Sequence, residues 1–178
     1  MELSKVMTVG EEVLANEEIN QKMHYVVATC IIVKDGKYLI AKRASYEKAF
    51  PNQWTVPGGK LESKDFTSRK KDAKELWYNV VEELVEREVM EEVGIKIENI
   101  GYVTSLAYIR IDKIPTIIIS LYGDYLSGEV KLCRALTEYA WVTLEEAKNY
   151  DLIDGIYDEL SMLDKHLRGE KLGKWKRN

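Results

Sequence analysis

The chain has 178 residues, of which 46% are apolar and 31% are charged, a balance typical of one globular domain with its own core. Its formal charge of -4 argues against a nucleic-acid polymer as a partner, because proteins that bind one usually carry a basic excess. Its apolar runs are too short to cross a bilayer, it does not begin with a secretory signal, and Cys30 and Cys133 cannot form a disulfide framework. We therefore expect a cytoplasmic protein without membrane contact.

The first third of the chain predicts a strand pair that leads to a glycine turn. Residues 1–23 are polar and acidic and are expected to form an arm or short helix ahead of a domain spanning 24–166. The β-branched run Tyr25–Val33 and the segment Tyr38–Lys42 are predicted strands, joined by a turn with an Asp-Gly signal. A loop, an extended piece over Gln53–Val56 and the turn Pro57-Gly58-Gly59 follow in that order.

The rest of the chain alternates helical and extended patterns. Apolar residues from Leu76 to Val93 recur at spacings of three and four and predict a helix over 72–93, ended by Gly94. Three strands, over 101–110, 116–125 and 139–142, precede helices over 144–150 and 153–166 and a basic C-terminal tail over 167–178. Without strict βαβ alternation, this pattern indicates an α/β protein of the α+β type with a mixed sheet.

Three glutamates fall on one face near the end of the long predicted helix. Glu88, Glu91 and Glu92 stand at i, i+3 and i+4, so their carboxylates repel one another where the helix dipole also disfavours anions. A hard divalent cation would reverse that effect, because Mg²⁺ prefers carboxylate, water and phosphate oxygens. The alternative is a solvated acidic face, which is common on surface helices.

The surrounding residues resemble the Nudix hydrolase signature, G-x5-E-x7-R-E-U-x-E-E-x-G-U, in which U is apolar. REVMEEVGI at 87–95 matches every fixed position of its second half. AKRASYEKAFPNQWTVPGGKLE at 41–62 is similar to the family's approach to this helix, and TEYAWVTLEEA at 137–147 is similar to its common ending. The resemblance covers residues 24–165.

This resemblance implies a Nudix α/β/α sandwich with a mixed β-sheet and a Mg²⁺-dependent pyrophosphohydrolase, with Mn²⁺ as an alternative ion. The implied substrate is a small nucleotide, either a nucleoside triphosphate or a modified nucleotide, cleaved by attack of water on a phosphorus of the pyrophosphate. Two alternatives stay open: hydrolysis of ADP-ribose or another nucleotide sugar or dinucleotide, and a non-catalytic domain that senses nucleotides.

The resemblance also implies roles for particular acidic residues. Glu88, Glu91 and Glu92 would be metal ligands, with Glu92 the most essential and Glu88 either a ligand or the general base. The backbone carbonyl of Gly59, or of neighbouring Gly58, would add an oxygen. A carboxylate outside the helix often acts as base or extra ligand in this family; the candidate here is Glu138, with Glu129 second and a surface acid as the alternative.

Substrate contacts are expected from the strand end and the loop before the glycine turn. Lys42 and Arg43 end the second predicted strand and Lys60 lies beside the turn, where their charges could meet phosphates. Tyr46 is a candidate for stacking on the base. Further aromatic candidates by position are Phe50, Tyr102 and Tyr108.

The signature is interrupted by an insertion. Positions 60–86 separate Gly59 from Arg87, which is 27 residues where the signature has thirteen, an insertion of about fourteen residues. The family's first glutamate, which pairs with the arginine, is replaced by Asn79, and Glu83 is expected to hold Arg87 in a structural role instead. Two alternatives that could fold back are Glu62 and Glu75.

The inserted segment SKDFTSRKKDAKELWYN at 63–79 has two interpretations. It could provide a packing surface for a second copy, as in a homodimer, or a mobile flap near the phosphate site. Trp77 and Tyr78, expected to be exposed, favour the interface, because such residues often anchor protein contacts.

Overall fold

The computed structural model describes residues 22–176, so all but the last two residues of the predicted N-terminal arm lie outside the described residues. Within the described range the strands are β1 (Tyr25–Lys34), β2 (Lys37–Arg43), β3 (Trp54–Thr55), β4 (Gly58–Lys60), β5 (Lys96–Ile109), β6 (Pro115–Ser127) and β7 (Leu136–Val142). The helices there are α1 (Ser63–Thr67), α2 (Val80–Val93), α3 (Leu144–Ala147) and α4 (Ile156–Leu167).

β1 and β2 form the predicted hairpin. Lys34 pairs with Lys37, and the two residues between them, Asp35 and Gly36, have φ values of 51° and 73°. Positive φ at both central residues is the turn geometry that matches the twist of the flanking strands, and Asp-Gly adopts it readily. The prediction made from this dipeptide is confirmed.

All seven strands join one mixed sheet. Its order is β3-β2-β1-β6-β5, with β4 beside β1 and β7 beside β2. β1 and β6 are parallel, with Thr29 opposite Ser120, and the other named pairs are antiparallel. Pro115 begins β6, where its missing N–H removes no interior ladder bond. The predicted α+β class with a mixed sheet is confirmed.

Helices cover both faces of this sheet. Alternate side chains of β1 point to opposite faces, and each set packs against a different helix. The core on one side contains, from β1 and α2, Ala28, Cys30, Ile32, Leu84, Val85, Val89 and Val93. The core on the other contains, from β1 and α4, Ile31, Ile156, Leu160 and Leu163. The α/β/α sandwich implied by the family resemblance is therefore present.

Helix α2 begins at Val80, eight residues later than the apolar spacing predicts. Asn79 has a φ of 55°, a left-handed conformation that cannot continue a right-handed helix. Leu76, which completes the predicted apolar stripe, is 56% exposed and so contributes little to a core. The C-terminal end is as predicted: Gly94 has a φ of 73° and its N–H donates to the carbonyl of Met90.

The inserted segment folds back on itself. The indole N–H of Trp77 donates to the carbonyl of Arg69 at 3.1 Å, and its ring centroid lies 5.4 Å from that of Phe66. Trp77 is therefore a half-buried residue that packs within the segment, and the expectation that it is exposed is wrong. Tyr78 is 57% exposed, as predicted. The homodimer stays a prediction.

Several element ends differ from the predicted ones. The glycine turn continues as β4 against β1, β5 begins at Lys96 and α3 ends at Ala147. In the C-terminal tail, the indole N–H of Trp175 donates to Asp158 of α4 at 2.9 Å. No helix among the described residues is long and apolar enough to cross a membrane.

Candidate metal centre and nucleotide cleft

β4 holds two glycines at positions that are too crowded for a side chain. A Cβ atom on Gly58 would lie 2.4 Å from the carbonyl oxygen of Ala28, and one on Gly59 would lie 2.1 Å from Oε1 of Glu88. Both distances are far inside van der Waals contact. Glycine at 59 lets α2 bring the carboxylate of Glu88 directly against the backbone of β4, and glycine at 58 lets β4 pack closely on β1.

Glu88 and Glu92 lie one helical turn apart, and both reach this strand. Oε2 of Glu92 accepts a hydrogen bond from the Gly58 N–H at 3.0 Å, and Glu88 lies against Gly59. Val89 and Val93, on the adjoining stripe of α2, are fully buried in the core. The core therefore fixes the face of the helix that carries the two glutamates.

The peptide groups of Gly58, rather than those of Gly59, point toward α2. The N–H of Cys30 donates to the carbonyl of Pro57, and Gly59 occupies the next equivalent position in this antiparallel pair. Polar groups of alternate residues face opposite sides of a strand, so those of Gly59 face β1 and those of Gly58 face Glu92. The carbonyl oxygen beside the glutamates is thus that of Gly58, which corrects the choice of Gly59.

The negative charges of Glu88 and Glu92 are incompletely compensated by neighbouring groups. Burial raises the pKa of Glu92 to about 7; the Gly58 N–H opposes this rise, and the charge of Glu88 adds to it. Burial also raises the pKa of Glu88, against the opposing charge of Arg87. Two half-buried carboxyl groups that resist ionisation form a site where a cation would be favourable.

Arg87 forms ion pairs with three carboxylates. Its Nη2 atom lies 2.8 Å from Oε1 of Glu88 and 3.3 Å from Oδ1 of Asp65, and its Nη1 donates to Glu91 at 2.9 Å. Asp65 belongs to α1, and its side chain is only 9% exposed. The inserted segment thus supplies an acidic partner for the arginine.

The predicted pair of Glu83 and Arg87 is wrong. Glu83 instead lies 2.9 Å from Nε of Arg69 in the inserted segment. Asn79, which replaces the family's first glutamate, lies before α2 and has no negative charge. The acidic partner that Arg87 has outside α2 is Asp65 of α1.

Two of the three helix glutamates converge on the glycines. The side chain of Glu91 is 59% exposed and turned to Arg87. Over residues 22–176, no three carboxylate, imidazole or thiol groups stand together as a metal site. The predicted trio is therefore not assembled. Glu88, Glu92 and the Gly58 carbonyl nevertheless form an all-oxygen donor set, which fits Mg²⁺ or Mn²⁺ because such ions use one or two carboxylates plus water and phosphate oxygens.

The glycines open onto a cleft of about 590 Å³, within the range of nucleotide-sized pockets. The predicted substrate-binding residues Arg43, Tyr46 and Lys60 line it. Arg43 is held in place, because its Nε donates to the carbonyl of Ala49 at 2.8 Å and its Nη2 to Glu47 at 2.9 Å. A fixed guanidinium therefore faces the cleft.

Other predicted site residues lie elsewhere. Lys42 and Glu138 face each other across β2 and β7, and Nζ of Lys42 lies 2.8 Å from Oε1 of Glu138. The cleft lining includes neither of them, nor Glu129, and their roles stay predictions; of the predicted metal ligands it includes Gly59 and Glu92. Of the further aromatic candidates, the cleft contains Phe50 and Tyr108 but not Tyr102.

Three acidic residues with contacts at the site were missed in the sequence: Glu47, Asp65 and Glu159. Glu47 holds Arg43, and Asp65 contacts Arg87 from a separate helix, which no local spacing indicates. Glu159 could have been found, because it stands in the apolar stripe of α4, three residues after buried Ile156. An acid at a core-facing position is unusual and indicates a special environment.

A comparison with family models and curated sequences gives a consistent result. A model described as "NUDIX domain" matches residues 23–161. The chain is 32% identical over 135 residues to "Nucleoside triphosphatase NudI" of Escherichia coli O139:H28, which covers 68% of this chain and 84% of that protein. It is 28% identical over 133 residues to the protein of the same name from Klebsiella pneumoniae, with the same shares covered.

Solved structures share the fold at low sequence identity. A MutT protein from Methanosarcina mazei Go1 superposes with a TM-score of 0.62 at 24% identity, over 82% of this chain and 96% of that one. The NUDIX domain of Shewanella oneidensis NrtR, solved with ADP ribose, superposes with a TM-score of 0.64 at 14% identity, over 88% of this chain and 97% of that one. At these identities the likeness concerns the fold alone.

Proposed function

This chain belongs to the Nudix hydrolase family, enzymes that act on phosphoanhydrides, and we propose that it is a Mg²⁺-dependent pyrophosphohydrolase of nucleoside triphosphates or modified nucleotides. The observation that carries the proposal is a pair of half-buried carboxylates on the glycine strand, Glu92 against Gly58 and Glu88 against Gly59, where Glu92 and both glycines line a nucleotide-sized cleft. The names of the curated relatives support a nucleoside triphosphate as the substrate.

The donor set for the ion is Glu88, Glu92 and the carbonyl oxygen of Gly58. A bound Mg²⁺, or Mn²⁺ in its place, would neutralise phosphoryl oxygens and lower the pKa of a water molecule. Glu91 is not assigned to the ion, because its side chain is 59% exposed and pairs with Arg87, whereas Glu88 and Glu92 lie against the glycine strand.

The remaining roles fall to side chains around the cleft. Arg43 presents a guanidinium that is already oriented by two hydrogen bonds, so it can bind phosphate oxygens without first being ordered. Lys60, beside the glycines, adds a second positive charge.

Glu88 has one role in this proposal, as a ligand of the ion, and Arg87 at 2.8 Å fixes the orientation of its carboxylate. Glu138 has no role in this proposal, because it pairs with Lys42 outside the cleft.

A substrate panel tests the proposal. The eight common ribo- and deoxyribonucleoside triphosphates and ADP-ribose would each be incubated with the protein and Mg²⁺, with pyrophosphate, phosphate and nucleoside monophosphate quantified. We expect a triphosphate to be the best substrate, with the rate reduced at least about 1000-fold in Glu92→Gln and nearly unchanged in Glu138→Gln.

Two results would contradict this proposal. Faster cleavage of ADP-ribose than of every triphosphate would assign the chain to nucleotide-sugar hydrolysis. Nucleotide binding without turnover under any divalent ion would assign it to sensing.

A further inference from the structure

A second pocket adjoins the cleft, between β5 and the beginning of α4. It has a volume of about 370 Å³ and shares Leu106, Asp154 and Glu159 with the lining of the cleft. Trp175 of the C-terminal tail lines it as well, and its indole N–H donates to Asp158 at 2.9 Å. The second pocket is therefore large enough for a small organic molecule and has an aromatic ring at its side.

The lining of this second pocket is strongly acidic. It contains Asp154, Asp158 and Glu159, and within the described part of the chain no lysine, arginine or histidine lines it. The tail lysines Lys174 and Lys176 line a neighbouring groove instead. Acidic groups of one sign in a concave site attract cations from solution, because low-dielectric walls focus their field.

Glu159 differs from the other two acidic residues because it is buried. It is 6% exposed, and its Oε2 atom has no hydrogen-bond partner. Burial raises its pKa, and a hydrogen bond from the hydroxyl of Ser120 opposes that rise. A hydroxyl group has a single proton to donate, so Ser120 serves at most one of the two carboxylate oxygens. The dipole of α4 favours acidic residues in its first turn without burying them, so the other oxygen needs a donor from elsewhere.

We propose that this second pocket binds a small primary alkylamine, with an ammonium group at Glu159 and Asp154 and the alkyl chain against Trp175 and Leu106. A primary ammonium has three N–H donors and no acceptor, so it can satisfy the free oxygen of Glu159 and pair with a second carboxylate. The ring of Trp175 is 52% exposed and can contact the cation. A metal ion fits less well, because no three acidic groups among residues 22–176 stand together as a metal site.

Calorimetric titration of the metal-free protein with 1,4-diaminobutane tests this inference without requiring turnover. Two matched probes would be titrated in parallel. One is 1,4-butanediol, which has the same chain but no charge, and the other is the fully N-methylated diammonium, which has the same charges but no N–H group. We expect the diamine to bind at least about 10-fold more tightly than either probe, which is about the value of one charge-assisted hydrogen bond.

Three variants locate the binding site. Glu159→Gln should weaken binding of the diamine at least about 10-fold, because an amide has no charge and only one accepting oxygen. Asp151→Asn is the matched control, since it removes an exposed acid that does not line the second pocket, and it should change the affinity less than about 2-fold. Glu92→Gln should also leave the affinity within about 2-fold, because Glu92 lines the cleft and not the second pocket.

Equal affinity for the diamine and either probe, or no measurable binding of the diamine, would overturn the inference in the unmodified protein alone, whether or not a variant folds. Binding that is lost in Glu92→Gln but retained in Glu159→Gln would place the amine at the glycine strand and would overturn it too. Selective binding of the diamine without hydrolysis of any nucleotide would support this inference and overturn only the proposed function.

The inhibition pattern distinguishes two sources of the ammonium group if the substrate panel shows turnover. Competitive inhibition by the diamine would assign the ammonium group to the substrate itself, as a modified nucleotide that carries one. The absence of competition would assign it to a separate ligand that binds beside the substrate. Either pattern, together with the selective binding, supports an amine site in the second pocket.

Discussion

Replacing Glu92 by glutamine should stabilise the metal-free protein, because the glycine strand buries a carboxylate without a cation. Burial raises its pKa from 4.5 to about 7. At about 1.4 kcal/mol per pKa unit, full ionisation costs the folded state about 3 kcal/mol. The folded state holds the proton more tightly than the unfolded chain, so the free energy of unfolding falls as pH rises from 4.5 to about 7, and the penalty is complete above that.

Urea denaturation in the presence of a chelator, at pH 5 and pH 8, measures this effect. Relative to the unmodified protein, Glu92→Gln should be about 2–3 kcal/mol more stable at pH 8 and only about 1 kcal/mol more stable at pH 5, because glutamine keeps an oxygen for the Gly58 N–H and never ionises. Glu91→Gln is the matched control, since that glutamate lies on the same helix but is exposed; it should show no gain that grows with pH.

Adding Mg²⁺ should stabilise the unmodified protein more than Glu92→Gln, because a ligand that binds the folded state shifts its stability by mass action. If Glu92→Gln is less stable than the unmodified protein at pH 8 without metal, or if its gain does not depend on pH, the reasoning about buried charge is refuted.

Two further substitutions test how the site is supported. Asp65→Asn removes a charge that holds Arg87 and should lower kcat about 10-fold, whereas Glu83→Gln changes an acid that pairs elsewhere and should alter kcat less than about 2-fold; the opposite order would contradict the assignment. Gly59→Ala would place a methyl group where the carboxylate of Glu88 lies and would displace that carboxylate. It should lower kcat about 100-fold with little loss of thermal stability. Full activity of this variant would contradict the geometry.

The parts of the site that follow local periodicity could be predicted from the sequence. Glu88 and Glu92 are four residues apart on a helix whose buried residues, Leu84, Val85, Val89 and Val93, recur at helical spacing, so their shared face follows from the helical repeat. The C-terminal end of that helix follows from Gly94, because glycine tolerates the left-handed conformation required there.

The parts that depend on distant segments could not be predicted. Asp65 reaches Arg87 because α1 folds back onto α2, and nothing in the spacing of the chain encodes that contact. The placement of Glu91 is likewise decided by a competition between ion pairs, which the i, i+3, i+4 pattern does not resolve. Glu138 resembles a base by its position before Trp141, yet strand register puts it opposite Lys42.

Binding of Mn²⁺, followed by the electron paramagnetic resonance signal of the free ion, tests the metal centre most directly. The account predicts that the unmodified protein and Glu138→Gln bind Mn²⁺ with the same affinity, whereas Glu92→Gln binds it at least about 10-fold more weakly because one of its oxygen ligands has lost its charge. Equal Mn²⁺ affinity in Glu92→Gln and the unmodified protein would contradict the assignment of Glu88, Glu92 and Gly58 as the metal-binding centre.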